Sequence, residues 1–237
     1  MPAGKRDKKN TGGKKSKSSR QWLAEHFADP YVRQARAQGY RSRSAYKLLE
    51  LQRRYRLFRP GDIVVDLGAA PGGFSQVVAQ IVGKEGRVFA LDRQPCQALP
   101  NTEFIQGDFT DPAITEKLRA AIGEKKINYV ICDIAPDMSG VNTVDQARVM
   151  VLCELALEFA ASVLDGQGGF IIKVFQGEGF EAFLKALRMR FPSVMIRKPE
   201  ASRNRSREVY LLAGCIRAHH NLQKKQQQRK KKGVQGE

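Results

Sequence analysis

From residue 62 to residue 213, short apolar runs rich in β-branched side chains alternate with helical stretches, and this alternation limits the possible folds more than any other feature of the chain. Residues 63–65, 87–91, 103–106, 128–132, 169–175, 194–198 and 208–213 read as strands. Residues 75–82, 112–122, 144–164 and 181–190 read as helices between them, and 42–55 as a helix ahead of them with Ala45, Leu48, Leu49 and Tyr55 among its apolar positions. Nearly continuous apolar strands separated by helices predict an α/β fold with a mostly parallel seven-stranded sheet and helices on both faces. The last two strands have no helix between them, so they are expected to pair antiparallel at one edge. No internal repeat and no Pro- or Ser-rich linker interrupts residues 21–215, which read as one domain.

The segment Asp66-Leu67-Gly68-Ala69-Ala70-Pro71-Gly72-Gly73-Phe74 joins the first strand to its helix. In a doubly wound sheet, ligands bind there, beyond the carboxyl end of the strand. The loop has neither the GxGxxG spacing of a dinucleotide site nor a GxxxxGK[ST] phosphate loop, and Pro71 lacks an N–H that a pyrophosphate cradle would use. Carboxylates then recur at successive strand ends. Asp92 stands where an acid accepts from a ribose diol, Asp108 where it could accept from an adenine amino group, and Asp133 closes 128–132. A lone Asp after a strand is usually a cap or turn residue. Four in register, with Asp66, suit a cationic or neutral nucleoside far better than a polyphosphate.

Charge sorts by position. The chain carries 41 Lys and Arg against 24 Asp and Glu, a net +17. Residues 1–20 hold +7 and residues 216–237 hold +6, leaving +4 for 21–215. Segments so polar and like-charged are expected to be disordered tails, and they suit a polyanion whose counterions they displace. Within the domain, Arg33, Arg36, Arg41, Arg43, Lys47, Arg53, Arg54, Arg56 and Arg59 form one basic run; Arg188, Arg190, Arg197, Lys198, Arg203, Arg205 and Arg207 form another. Guanidinium forks match phosphates, so a nucleic-acid partner is expected. Cys96, Cys132, Cys153 and Cys215 are dispersed without CxxC or a His at ligand spacing, which indicates neither a disulfide framework nor a metal site and points to a reducing, cytoplasmic setting. No apolar run reaches the roughly 18 residues of a membrane span, and the basic N-terminus has no apolar segment of a secretory signal. No GxSxG occurs, and His26, His219 and His220 offer no nucleophile–histidine pair.

DLGAAPGGF, ALD at Asp92, QGDF at Asp108, CDIAPDMSG, IIKVFQGEGF and SREVYLL resemble, in order and spacing, the FtsJ/RrmJ (RlmE) RNA methyltransferases. The likeness runs from Trp22 to Ala213 and includes WLAEHFADPYV and YRSRSAYKL. It implies a Rossmann-like class I fold and an S-adenosylmethionine-dependent enzyme, without a metal, that methylates a uridine 2′-hydroxyl in 23S ribosomal RNA of the large subunit. A monomer is expected. By the same resemblance the cofactor contacts fall on Gly72, Phe74, Asp92, Asp108 and Asp133, and a catalytic set on Lys47, Asp133, Lys173 and Glu208. Two positions depart from the family pattern. Phe74 replaces a familiar Trp, keeping an aromatic wall without the indole donor, and Asp137 stands where Asn is familiar.

A ribose hydroxyl is a poor acid, so its methylation needs proton removal as the oxygen attacks. Lys173 sits in the apolar run Phe170-Ile171-Ile172-Lys173-Val174-Phe175, where desolvation is expected to lower its pKa. Lys47 is expected to push the same way, and Asp133 and Glu208 to oppose. Lys173 is therefore read as the general base, with the other three orienting it and the 2′-oxygen. A bland alternative has Lys173 snorkelling from a strand end with Glu208 as its ion-pair partner. Other readings are the same fold acting on tRNA or an mRNA cap, a catalytically silent RNA-binding ribosome-assembly factor, and a nicotinamide-dependent dehydrogenase, which the missing GxGxxG disfavours.

Overall fold

The computed structural model describes residues 28–203 and 205–214. The expected tails 1–20 and 216–237, together with Trp22–Phe27 of the family-like segment, lie outside the described residues.

Two helices precede the sheet. In α1 (Pro30–Ala37) the Asp29 carboxylate caps the first turn by accepting from Tyr31 N at 2.9 Å, and Pro30 occupies a position where no N–H is needed. The second, α2 (Ala45–Tyr55), starts later than the sequence pattern suggests, because Ser42, Arg43 and Ser44 form the turn that leads into it. Then follow β1 (Ile63–Leu67), α3 (Gly73–Val82), β2 (Arg87–Asp92), β3 (Thr102–Gln106), α4 (Pro112–Ile122), β4 (Ile127–Cys132), α5 (Asn142–Val163), β5 (Leu164–Phe175), α6 (Phe180–Arg190), β6 (Val194–Arg197) and β7 (Glu208–Gly214).

The seven strands lie in the order β3-β2-β1-β4-β5-β7-β6. Strands β3, β2, β1, β4 and β5 are parallel to their neighbours, and β7 runs antiparallel to both β5 and β6. This is the expected α/β sheet with an antiparallel pair at one edge. Residues alternate between its faces. Val64, Val88, Ala90, Tyr129, Ile131, Ile171, Tyr210 and Leu212 join one core with α2 and α3. Val65, Leu67, Phe89, Leu91, Val130, Phe170, Ile172 and Val174 join the other with α4, α5 and α6.

One boundary differs from the sequence reading. Strand β5 begins at Leu164, directly after α5, and pairs Leu164 with Ile127 before a register shift between Ile127 and Tyr129. Asp165-Gly166-Gln167-Gly168 carries no apolar alternation, so periodicity alone reads it as a loop. Gly169 is required here, because a Cβ would run into the Tyr129 ring.

Candidate active site

The parallel strands all end on one side of the sheet, and the residues after β1, β2, β3 and β4 surround a crevice of about 680 Å³. Gly68, Asp92, Arg93, Asp108, Asp133 and Asp137 are among its lining, and the second and third turns of α5 close it with Ala147, Arg148, Val151 and Leu152. Gly68 has φ +82, and a Cβ there would lie 2.7 Å from Ile134 N, so a side chain would force the lips of β1 and β4 apart.

Asp92 and Asp108 are held by nearby backbone. Asp92 Oδ2 accepts from Ala70 N at 2.9 Å and Oδ1 from Gln94 N at 2.8 Å. Asp108 Oδ1 accepts from Thr110 N at 2.9 Å and Thr110 Oγ1 at 2.7 Å. These bonds to Thr110 hold the Asp108 carboxyl below its ordinary range, helped by Arg93. Each carboxylate keeps acceptor capacity towards the crevice. An acidic lip without a phosphate cradle could hold a cationic or neutral nucleoside, with Asp92 and Asp108 as candidate acceptors for its hydroxyl and amino groups. Arg93 crosses the mouth, pairing with Asp137 at 2.9 Å and lying 3.7 Å from Asp108.

Gly72 and Phe74 sit elsewhere. Phe74, read from the sequence as an aromatic wall, is 3% exposed and packs in the core with its ring 6.2 Å from that of Tyr210. Gly72 has φ +104, and a Cβ there would meet the Arg41 guanidinium at 2.6 Å and the Cys96 thiol at 3.0 Å. Asp66 points into the core beneath the loop and is fully buried. Its Oδ2 accepts from Ser75 Oγ at 2.6 Å, its Oδ1 has no partner, and burial pushes its pKa up to about 7.

Lys47, Asp133, Lys173 and Glu208 come together from four elements. The β5–β7 register sets Lys173 opposite Tyr210 and Phe175 opposite Glu208, so Lys173, Tyr210 and Glu208 all face α2, which carries Lys47. The four form two ion pairs. Lys47 Nζ donates to Glu208 Oε1 at 2.6 Å. Lys173 Nζ lies 3.0 Å from Asp133 Oδ1 and donates to the Asp133 carbonyl at 2.7 Å. Lys173, 8% exposed, thus pairs with Asp133 and not with Glu208.

Tyr210 links the pairs. Its hydroxyl donates to Asp133 Oδ1 at 2.9 Å, and Lys47 Nζ stands 5.7 Å from its ring centroid. Burial raises its pKa well above the ordinary value, so it stays a donor. Ser202 Oγ donates to Glu208 Oε1 at 3.0 Å. Motif reading singles out neither residue. The two-residue spacing of Glu208 and Tyr210 on one strand is a signal that would have found Tyr210, whereas no local pattern marks Ser202.

The charge state of Lys173 corrects the sequence reading. Burial does pull its pKa down, but the Asp133 carboxylate, the hydrogen bond to it and Glu208 together outweigh burial, and the pKa stands above its ordinary value. In the chain alone Lys173 is an ammonium.

Beside this cluster a second hollow is lined by Arg43, Ser44, Lys47, Arg203, Arg205, Ser206 and Glu208. Lys47 and Glu208 therefore form the floor shared between a basic surface and the buried pairs. Among the described residues no group of three or more His, Cys, Asp or Glu side chains stands close enough to hold a metal ion, and no helix is long and apolar enough to cross a membrane.

Residues 40–215 match the FtsJ-like methyltransferase family. The chain is 56% identical over 205 residues to the ribosomal RNA large subunit methyltransferase E of Cellvibrio japonicus, covering 85% of this chain and 97% of the relative. It is 54% identical over 203 residues to the protein of that name from Pseudomonas aeruginosa, covering 86% and 98%, and 53% identical over 204 residues to that of an Azoarcus species, covering 86% and 100%. Among solved structures, a putative ribosomal RNA methyltransferase of Plasmodium falciparum superposes with a TM-score of 0.64 at 27% identity, covering 74% of this chain and 97% of that one.

Proposed function

We propose that this chain, which belongs to the FtsJ-like methyltransferase family, methylates the 2′-hydroxyl of a uridine ribose in 23S ribosomal RNA of the large subunit, using S-adenosylmethionine as donor. The observation that carries the reading is the pair of buried ion pairs, Lys47–Glu208 and Lys173–Asp133, set between an acidic crevice and a basic hollow. A nucleoside-binding crevice alone would serve many reactions; an amine beside it on an apolar strand serves proton removal.

When bound, S-adenosylmethionine supplies a methyl group on a sulfonium centre. Asp92, Asp108 and Asp133 would hold it. Asp133 both lines the crevice and pairs with Lys173, so positive charge in the crevice competes for the same carboxylate and lowers the pKa of Lys173. The neutral Nζ would then take the 2′-hydroxyl proton, leaving the sugar oxygen to accept the methyl group that the donor supplies. Lys47, held by Glu208, and the Tyr210 hydroxyl, held by Asp133, fix the approach of the sugar oxygen. Arg43, Arg203 and Arg205 around the hollow give an RNA backbone its positive surface. Residues 1–20 and 216–237, net +7 and +6, add electrostatic attraction for the same polyanion. A cytoplasmic monomer acting on ribosomal particles fits this reading.

Incubation with methyl-labelled S-adenosylmethionine and either large ribosomal subunits or bulk tRNA tests it. Label is expected in 23S RNA at a ribose 2′-oxygen. Label confined to tRNA would replace the substrate, and label on a base would remove the mechanism.

A further inference from the structure

The basic run along α1 and α2 reads from sequence as a row of phosphate contacts, yet one of its members is turned to other use. We infer that Arg41 is a positioning residue for the proposed reaction: its guanidinium fastens the segment that carries Lys47 to the loop that follows Asp92, so that the cofactor crevice and the buried lysine cluster are set by one side chain. The inference rests on the methyltransferase reading above.

The contacts are specific. Arg41 Nη1 donates to Gln97 O at 2.8 Å and to Cys96 Sγ at 3.3 Å, and Nη2 donates to Ala98 O at 2.8 Å. Two nearby carbonyls received by the two ends of a planar fork suit guanidinium geometry and do not suit a lysine ammonium. The Arg41 N–H donates to Gln76 Oε1 at 3.1 Å, while Gln76 Nε2 donates to Gly39 O at 2.8 Å, so the first turn of α3 grips the same segment. Gly72 and Gly73 make the approach possible. A Cβ on Gly72 would collide with Arg41, and one on Gly73 would collide with Ser42 Oγ. These glycines serve the docking of the Lys47 segment as well as the turn of the loop.

The loop that Arg41 holds leads to the crevice. Gln94 N binds Asp92 Oδ1, Cys96 Sγ reaches Pro71 O at 3.5 Å, and Ala70 N binds Asp92 Oδ2. From Arg41 to Asp92 there is thus an unbroken series of contacts. Six residues after Arg41, Lys47 meets Glu208. With three of its five N–H donors committed to protein acceptors, Arg41 keeps only Nε–H and one Nη2–H for a phosphate, a weaker contact than its place in a basic row suggests.

The full-length Arg41→Gln and Arg41→Lys variants test this with three readouts: calorimetric titration with S-adenosylmethionine, affinity for 23S RNA at several salt concentrations, and steady-state methyl transfer. Expected is about tenfold weaker cofactor binding and a matching rise in cofactor KM. RNA affinity should stay within about twofold and keep its salt dependence. The Lys variant should not rescue. A loss of RNA affinity with a shallower salt slope and unchanged cofactor binding would make Arg41 a phosphate contact and overturn the inference. So would unchanged binding of both ligands, rescue by Lys, or equal losses of both ligands accompanied by a lower unfolding midpoint. If the unaltered protein fails to bind S-adenosylmethionine, the cofactor reading falls first; if it binds and the variants bind equally well, only the role of Arg41 falls.

Discussion

Two groups of acids stand at the strand ends, and they are satisfied in opposite ways. Asp92, closing β2, and Asp108, beyond β3, accept from backbone N–H groups two residues on or in the neighbouring loop, and they face an open crevice. Asp133 and Glu208, at β4 and β7, are matched by Lys173 and Lys47, side chains distant in sequence and nearly covered. Acids held by nearby backbone keep their position whatever the rest of the molecule does, which suits the reading of a ligand. Acids held by distant lysines share their charge with groups that can move a proton. Asp133 belongs to both groups, and through it occupancy of the crevice can reach the amine.

Substitutions on the two sides should therefore fail differently. The largest effect is expected for Lys173→Ala: methyl transfer to large-subunit RNA falls about 10³-fold, while calorimetric S-adenosylmethionine affinity is kept or tightened because the ammonium that competes for Asp133 is gone. Normal turnover would place the base elsewhere. Next, Lys47→Met leaves the Glu208 carboxylate with Ser202 as its remaining side-chain donor, and urea unfolding should show a loss of about 3 kcal/mol. Asp108→Asn, on the exposed side, should change stability by less than about 0.5 kcal/mol and appear in cofactor affinity instead. Equal stability losses from the two would erase the distinction between the groups.

Asp66 sharpens the comparison because it is buried with neither kind of support beyond Ser75. Its pKa of about 7, raised by burial, lies above the ~3.9 of an unfolded carboxyl. The folded chain then binds a proton more tightly, so the associated stability is full below about pH 4 and is lost as pH rises through about 7. Asp66→Asn should stabilise the protein by about 2 kcal/mol at pH 8, with the gap closing towards pH 4 in parallel melting curves. A gap independent of pH would contradict a titrating Asp66.

The smallest effect belongs to Asp137→Asn. The Arg93–Asp137 pair across the crevice mouth is exposed on both sides, so its loss should speed cofactor release by about twofold at low salt, and high salt should erase the difference. An equal effect at all salt concentrations would assign Asp137 to something other than the pair.

Much of this arrangement is legible from the chain, and for definite reasons. The central strands β1, β2, β4 and β7 read from the sequence because each is an apolar run largely buried on both faces. That the acids at the ends of β2, β3 and β4 share one crevice is legible because parallel strands bring their carboxyl ends to one side. What stays hidden depends on contacts between distant segments. Phe74 follows a ligand loop yet turns into the core against Tyr210. Arg41 belongs to a basic run yet is taken up by the carbonyls of residues 97 and 98. The apolar neighbours of Lys173 predict a depressed pKa, and only the fold reveals that Asp133 lies close enough to reverse the sign. Burial can be inferred from a strand's composition; the partner of a buried charge cannot.

That reversal makes the ionisation of Lys173 the most direct measurement. Lysine side-chain NMR on the protein, with signals assigned by Lys173→Arg, reports its pKa with and without S-adenosylmethionine. Expected is a value above an ordinary lysine's in the free protein that falls when the donor binds. A value that stays fixed or climbs on binding would contradict the claim that the crevice readies this amine to accept a proton.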